Sequence, residues 1–185
     1  MIMKVSAREK IIESAYRLFY KQGLRATQVD QVIQESEVAK RTFYKHFPSK
    51  QDVVMDALQE RHTRWLQWFT DKVEALNTPG KERVLGIFDA LREWFDDPAF
   101  RGCAFLNVTA EIYDAQEPER ELARRHKQDM DGKVAQWLKQ AGVEDAALAR
   151  QIGLLIDGAI IRAQCFGDPD YAQTARALCA AILRA

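Results

Sequence analysis

The stretch that decides the fold is V38-A-K-R-T-F-Y-K-H-F-P-S-K50. It places basic residues, a hydroxyl and aromatic side chains on one short amphipathic segment. Directly before it, residues 27–36 read T-Q-V-D-Q-V-I-Q-E-S, which is a second short helical pattern. Two short helices joined by a tight turn, the second rich in side chains that bind bases and phosphates, are typical of a helix-turn-helix. The pattern therefore predicts a DNA-binding surface.

The segment before this pair is a longer amphipathic helix that ends at Gly23. From Arg8 to Val54 the order of helix, glycine, short helix, turn and T-F-Y-K-H-F resembles the N-terminal domain of TetR-family transcriptional repressors. The positions that match are Thr27, Val29, Val38, Thr42, Phe43, Tyr44, His46, Phe47 and Lys50. Two positions depart from the family pattern, since Ile33 stands where alanine is usual and Glu37 where glycine is usual.

Nine helices are predicted, and no segment alternates like a strand. Every proline falls where a helical pattern starts or stops. The predicted helices cover about 6–23, 27–35, 39–46, 49–76, 80–96, 101–115, 118–141, 144–166 and 169–184. Ser49 is expected to cap the fourth helix, and Phe43 and Phe47 are expected to pack in the core. We expect an all-α protein with a three-helix helix-turn-helix domain over 1–48 and a larger helical bundle for ligand binding and dimerisation over 49–185.

The charge distribution agrees with this division. Residues 1–50 hold ten Lys and Arg against five Asp and Glu, whereas the remaining residues hold 17 against 22, so the chain is neutral overall. A basic head on an acidic body is expected when a DNA-binding domain is joined to a domain of another kind.

Nine residues are predicted to contact DNA. The first turn of a recognition helix meets base edges, so Lys40 and Arg41 are candidates for reading bases, as is Lys45 further along. Thr42 suits a base or a phosphate, and Thr27 and Gln28, at the start of the preceding helix, suit a phosphate. The family resemblance implies that Tyr44, His46 and Lys50 contact the DNA backbone.

The middle of the chain is rich in aromatic residues, which suits an apolar pocket for a small molecule. The stretch F100-R-G-C-A-F-L-N107 resembles one that borders the ligand site in a subset of the family. Asn107 and Glu111 share a helix face and could orient a ligand, with Glu111 favouring a cation; a buried polar pair is the alternative. The predicted ligand-binding residues are Trp65, Trp68, Phe69, Phe88, Trp94, Cys103, Phe105, Asn107 and Glu111.

The last two predicted helices carry apolar and small residues that suit a dimer interface. One helix-turn-helix reads few base pairs, so two recognition helices about 34 Å apart on a palindromic operator are expected. The family resemblance implies a four-helix bundle between two copies. The predicted interface residues are Leu155, Ile156, Ala159, Ile160, Ala163, Leu178 and Ile182. Alternatively, the apolar faces of both helices are buried within a single chain.

Together these features predict a ligand-responsive regulator, most simply a repressor that a small apolar or cationic molecule releases from DNA. Two alternatives stay open. One is a redox-responsive regulator through Cys103, which closely follows Arg101 and lies near the start of a predicted helix; the other is a DNA-binding regulator without an effector. Motifs for phosphate binding, zinc hydrolysis or nucleophilic catalysis are absent, so neither an enzyme nor a cofactor is expected. A metal site is not expected either, because His62 and His126 have no second ligand at useful spacing.

The sequence shows neither an apolar signal stretch nor an 18-residue apolar run, and its three cysteines form no disulfide framework. We therefore expect a cytoplasmic protein that is not embedded in a membrane.

Overall fold

The computed structural model describes residues 5–76 and 78–184, and over these ranges the regular secondary structure is all α-helix. The described residues form nine helices and no strand, as predicted. They are α1 Ala7–Gln22, α2 Val29–Ser36, α3 Lys40–His46, α4 Lys50–Ala75, α5 Lys81–Phe95, α6 Ala104–Glu111, α7 Pro118–Gln140, α8 Ala146–Phe166 and α9 Tyr171–Ile182.

Local capping explains where several helices begin. Ser6 and Glu9 bond reciprocally at the start of α1, and Ser49 and Asp52 do the same at the start of α4. Such capping boxes satisfy amide groups that a helix start leaves unpaired. Asp145 caps α8 by accepting from the amides of the second and third residues that follow it. The predicted cap at Ser49 is thereby confirmed.

The bounds of the second and sixth helices differ from the prediction for reasons that the structure makes clear. The second helix begins at Val29 instead of residue 27, because Gln28 is its N-terminal cap and Thr27 lies outside the helix. The sixth helix covers Ala104–Glu111 instead of 101–115. It is shortened at its start by Gly102, which has a positive φ of 78°, and at its end by a turn in which Asp114 accepts from the amide of residue 116.

The chain forms two compact units. The recognition unit comprises the residues up to Arg64 together with Ala104–Ala123, and the body unit comprises Trp65–Cys103 with Arg124–Ala185. Helices α4 and α7 therefore contribute residues to both units. The predicted division after residue 48 remains a prediction, since it concerns function.

In the recognition unit α1 packs against α2 and α3. The core between them is formed by fully or almost fully buried apolar side chains: Ile11, Ala15, Phe19, Leu24, Val32, Phe43 and Phe47. In the body unit α5 packs against α8 and α9, which also pack against each other. Nine of the 15 residues of α5 are buried, as expected for a helix enclosed on several sides.

Candidate nucleic-acid interface

The recognition helix α3 is anchored by its aromatic residues and exposes its polar ones. Phe43 is 0% and Phe47 2% exposed, so both belong to the core, as predicted. The side chains that remain on the surface are Lys40, Arg41, Tyr44, Lys45 and His46, while Thr42 is half-buried. Because α3 has only seven residues, two buried rings are enough to fix which face it presents.

Thr27 has a different role from the one predicted. Its side chain is fully buried, and its hydroxyl donates to the Gly23 carbonyl at 2.7 Å and accepts from the Gln22 amide at 3.1 Å. A hydroxyl that is buried and engaged in this way cannot bind a phosphate. Thr27 therefore ties the end of α1 to the start of α2, while the exposed Gln28 stays available for a phosphate contact.

Lys40 is paired with an acidic residue that sequence reasoning missed. Its ammonium lies 3.0 Å from the carboxylate of Asp30 in the first turn of α2, and both side chains are exposed. The hydrogen bond to Asp30 and its charge raise the pKa of Lys40 above its ordinary value. On α1, Arg17 is similarly paired with Glu35 of α2 at 3.1 Å. A contact between Lys40 and a DNA phosphate would therefore require Lys40 to exchange one negative partner for another.

Lys50 is engaged inside the recognition unit. Its ammonium donates to the Leu24 carbonyl at 2.6 Å, and burial lowers the pKa of Lys50. The contact joins the first residue of α4 to the turn between α1 and α2. A contact between Lys50 and the DNA backbone, which the family resemblance implies, would require this bond to be shared or broken.

Glu37, which departs from the family pattern, takes the conformation that glycine adopts most easily. It ends α2 with φ 54° and ψ 32°, which is left-handed backbone. Among the described residues other than glycine it alone has a positive φ. The protein tolerates this arrangement at a cost of about 1 kcal/mol, because Cβ crowds the following carbonyl oxygen.

The residues predicted to bind a ligand are divided between the two units. Phe105, Asn107 and Glu111 belong to the recognition unit, and the others belong to the body unit. Glu111 accepts a hydrogen bond from the backbone amide of Arg25 at 2.9 Å. The expectation that this carboxylate selects a cationic ligand in the body is therefore unsupported, since its charge serves the turn after α1.

The aromatic residues of the body unit form a contiguous cluster. Trp65 stacks on Phe69 with ring centroids 4.8 Å apart, and Trp94 and His126 pack edge-on against Trp65 at 5.3 and 5.5 Å. Trp137 is fully buried and lies outside the predicted ligand-binding set. It extends the cluster, because its ring centroid lies 5.8 Å from that of Phe69. Phe88, on α5, is also fully buried.

In the parts of α4 and α7 that belong to the body unit, three polar side-chain atoms are buried without a hydrogen-bond partner. They are the indole Nε1 atoms of Trp65 and Trp137 and the hydroxyl of Thr70. A buried donor without an acceptor costs about 1–3 kcal/mol, so each is a place where an acceptor would be favourable. Sequence spacing could not reveal this, because an indole shows its partner only when its surroundings are known.

Cys103 is buried and lies beside a charged pair in the body unit. Lys127 hydrogen-bonds to Cys103 and also donates to the Asp157 carboxylate at 2.5 Å. Burial opposes the charge on Lys127, but the sulfur and the carboxylate outweigh it and raise the pKa of Lys127. Next to this pair, a cavity of about 290 Å³ is lined by residues other than the predicted ligand-binding set: Lys127, Met130, Asp131, Arg150, Gly153, Leu154, Ile156 and Asp157.

The predicted dimer interface is largely on the wrong face of α8. Ile156, Ala159, Ile160 and Ala163 are buried within a single chain. They pack toward the core, so they cannot meet another copy. The opposite face exposes Leu154, Gly158, Ile161 and Cys165, which recur at spacings of four, three and four residues. A helical wheel shows both faces, but only packing decides which one is outward.

The two residues of α9 that were predicted to lie in the dimer interface differ in exposure. Leu178 is 52% exposed, while Ile182 is half-buried, as is Leu155 on α8. Four of the eight large apolar residues described as exposed lie on these two helices. They are Leu154, Ile161, Phe166 and Leu178.

Within residues 5–76 and 78–184, the helices are all too short or too polar to cross a bilayer. The same residues contain no group of three or more metal-binding side chains.

The fold and this exposed basic helix define a DNA-binding protein of the helix-turn-helix class. Residues 11–57 match the family model described as bacterial regulatory proteins of the tetR family, and residues 80–179 match the tetracyclin repressor-like C-terminal domain. The chain therefore belongs to the TetR family and is a DNA-binding transcriptional regulator.

Individual relatives are distant but similar along most of their length. The chain is 26% identical over 159 residues to the HTH-type transcriptional regulator LmrA of Bacillus subtilis (strain 168), covering 84% of this chain and 85% of LmrA. It is 23% identical over 178 residues to the HTH-type transcriptional regulator YjdC of Escherichia coli (strain K12), covering 96% and 93%. The TetR-family regulator SCO4454 of Streptomyces coelicolor superposes with a TM-score of 0.86 at 28% identity, covering 96% and 88%.

Proposed function

We propose that this regulator is a repressor that binds a palindromic operator as a homodimer and leaves it when a small apolar molecule occupies the body unit. The observation that carries the effector part is the pair of buried, unpartnered indole N–H groups in the aromatic cluster. The DNA part rests on the exposed face of α3.

On the DNA side, Arg41 is the leading base reader. Arg41 is exposed in the first turn of α3. Lys40 is held in an ion pair with Asp30, whereas neither Arg41 nor Lys45 on the same helix forms an ion pair with another described residue. An arginine can bond bidentately to the O6 and N7 atoms of guanine, which discriminates against other bases by about 1–3 kcal/mol. Lys45 and His46 are placed to support it at neighbouring bases or phosphates.

For dimerisation, the exposed stripe of Leu154, Gly158 and Ile161 on α8 is the candidate surface, together with Leu178 on α9. Large apolar side chains at regular helical spacing are unusual on a free surface and are typical of helix-to-helix interfaces. Two copies related by a twofold axis would present the same stripe to each other.

For the effector, the chemistry of the cluster favours a flat apolar molecule that carries a hydrogen-bond acceptor. Aromatic rings supply apolar contact, and the N–H groups of Trp65 and Trp137 and the hydroxyl of Thr70 offer donors. To release DNA, the molecule must bind the DNA-incompetent state more tightly than the competent one, by a coupling of about 1–3 kcal/mol.

The test is a ligand screen read on two signals. The protein is incubated with planar aromatic ketones, phenols and carboxylates, and with quaternary ammonium dyes for comparison; thermal midpoint and release of a labelled operator are recorded. We expect a subset of the acceptor-bearing compounds to raise the midpoint and release the DNA. If every compound leaves both signals unchanged, the regulator without an effector becomes the better description.

Trp65→Phe keeps a ring but removes the N–H group, so it should weaken such a compound about five-fold or more. Trp68→Phe is the matched control, because Trp68 is only half-buried and its indole nitrogen is not one of the buried atoms without a partner. Equal affinities in the two variants would argue against the Trp65 donor.

A second candidate is regulation through Cys103. Cys103 is buried beside the Lys127–Asp157 ion pair, so oxidation of its sulfur would disturb these contacts. If this is the signal, hydrogen peroxide should release the operator from the wild-type protein and from Cys165→Ala but not from Cys103→Ala. Release that persists in Cys103→Ala would exclude it.

A further inference from the structure

The turn between α1 and α2 is held through its backbone by two side chains that lie far away in the sequence. The amide of Arg25 donates to the Glu111 carboxylate at 2.9 Å, across 86 positions of sequence. The carbonyl of the neighbouring Leu24 accepts from Lys50 at 2.6 Å. One donor and one acceptor of adjacent residues are thus bound by a carboxylate and an ammonium group.

Gly23 shows how closely Glu111 approaches this turn. Its φ is +90°, and a Cβ atom added to it would lie 2.7 Å from the nearer Glu111 oxygen, closer than atoms in contact can lie. Glycine is therefore favoured here for its backbone angle, and a Cβ atom at this position would displace the Glu111 carboxylate.

The contacts of Glu111 with the Arg25 amide and of Lys50 with the Leu24 carbonyl together form a clamp on the turn. The charges of the two side chains in this clamp are complementary. Burial lowers the pKa of Lys50, and the nearby negative charge of Glu111 acts in the opposite direction. Glu111 also ends α6, where the helix dipole disfavours a carboxylate. The hydrogen bond from the Arg25 amide and the nearby positive charge of Lys50 compensate for that unfavourable position.

Both ends of the clamp are fixed to the rest of the recognition unit. The side chain of Arg120 donates to the carbonyls of Thr109 and Ile112 at 3.1 and 3.0 Å and so satisfies the last turn of α6. The guanidinium of Arg25 lies over the ring of Tyr113, 5.3 Å from its centroid. The clamp therefore has a defined geometry instead of joining two mobile surface groups.

The turn decides where the recognition surface stands relative to α1. It leads directly into α2, whose Asp30 holds Lys40 at the beginning of α3. Leu24 is buried in the core of the recognition unit, and Thr27 bonds to the Gly23 carbonyl. A shift of this turn would therefore be passed to α2 and to the base-reading side chains.

We propose that Glu111 is a positioning residue for operator binding, acting from α6 through the Arg25 amide and Lys50 without touching DNA. This inference goes beyond the proposed effector response, because it concerns the DNA affinity of the free protein. It needs only the DNA binding that the family establishes.

The test compares three variants on an operator duplex selected with the wild-type protein. Glu111→Ala removes the acceptor, Glu111→Gln keeps an oxygen that accepts from Arg25, and Glu117→Gln makes the same charge change at an exposed position nearby. Affinities for operator and non-operator DNA are measured at several salt concentrations, together with thermal midpoints and the hydrogen-exchange protection of the Arg25 amide.

We expect Glu111→Ala to weaken operator binding about ten-fold and to lower protection of the Arg25 amide. Binding to non-operator DNA and the salt dependence should stay unchanged, because no phosphate contact is lost. Glu111→Gln should recover most of the operator affinity, and Glu117→Gln should match the wild type.

Three results would overturn the proposal. Operator affinity of Glu111→Ala equal to that of Glu117→Gln would show that the clamp does not act on DNA binding. A parallel loss of non-operator binding with a shallower salt dependence would indicate a direct phosphate contact. If Glu111→Ala does not fold, Glu111→Gln decides alone: unprotected Arg25 with unchanged operator affinity would contradict the positioning role. Failure of the wild-type protein to select any operator would instead count against the assigned recognition surface.

Discussion

The recognition unit and the body unit use their aromatic and polar residues in opposite ways. In α3 the aromatic side chains Phe43 and Phe47 are structural, and the exposed charged side chains form the candidate site. In the body the candidate site is the buried aromatic cluster around Trp65, and its chemistry depends on polar atoms that the core leaves unpartnered. A DNA surface can therefore be recognised from a short local motif, whereas an effector region is defined only by packing between distant segments.

The largest effect on operator binding should come from a substitution on the face of α8 that would join the body units of two copies. Leu154→Glu places a charge in the exposed stripe of α8, where Leu154 is 75% exposed, so the single chain should still fold. We expect a monomer in sedimentation equilibrium and operator affinity lower by about 100-fold, because two linked half-site contacts become one. Ala135→Glu, at an exposed position of α7, is the control. A Leu154→Glu protein that remains dimeric would contradict the assigned face.

A smaller effect should follow from freeing Lys40 in the recognition unit. Asp30→Asn removes the partner of Lys40, so the ammonium becomes available to any phosphate. We expect tighter non-operator binding and a salt dependence steeper by about one counterion per protomer. Glu35→Gln also removes one negative charge from α2 but frees Arg17 on α1 instead. Equal salt dependences in the two variants would mean that only overall charge matters.

Two glycine substitutions at or near the turn between α2 and α3 should change the stability of the protein in opposite directions. Glu37→Gly should relieve about 1 kcal/mol of left-handed strain and raise the thermal midpoint by about 2–4 °C. Glu35→Gly, two residues earlier inside α2, should lower it, because glycine is disfavoured within a helix. Circular dichroism melting curves measure both, and a destabilised Glu37→Gly protein would show that the Glu37 side chain contributes more than its strain costs.

The smallest effect concerns a buried thiol of the body unit. Burial raises the pKa of Cys179 from its ordinary value of 9.0 to about 11. The unfolded chain therefore releases this proton at lower pH than the folded one, so stability should fall as pH rises from about 9 to 11. Cys179→Ala should flatten this decline in urea unfolding curves, and Cys165→Ala, which alters an exposed thiol, should not. Identical slopes in all three proteins would contradict the assignment.

The same contrast explains how much the sequence could predict. The nine helices, the core role of Phe43 and the cap at Ser49 follow from local periodicity and capping chemistry, and the structure confirms them. Thr27 was misassigned because a threonine before a helix looks like a cap until its burial is known. The outward face of α8 was misassigned for a similar reason, since both of its faces are apolar.

Long-range contacts were the hardest to predict. Nothing in the spacing links Glu111 to Arg25, and a carboxylate one turn after Asn107 suggested a ligand contact instead. The pairing of Asp30 with Lys40 crosses the turn between two helices and leaves no periodic signal. The aromatic content of the middle region was visible, but the unpartnered nitrogens of Trp65 and Trp137 were not.

The most direct test of the account is to sequence the genomic DNA fragments that the purified protein retains at physiological salt. We predict an enriched inverted repeat with half-sites about one helical turn apart, retained by the wild type and by Lys10→Ala, an exposed cation of α1. The enrichment should be lost with Arg41→Ala. Retention of random fragments only, or an inverted repeat that Arg41→Ala still selects, would contradict the assignment of α3 as the base-reading helix.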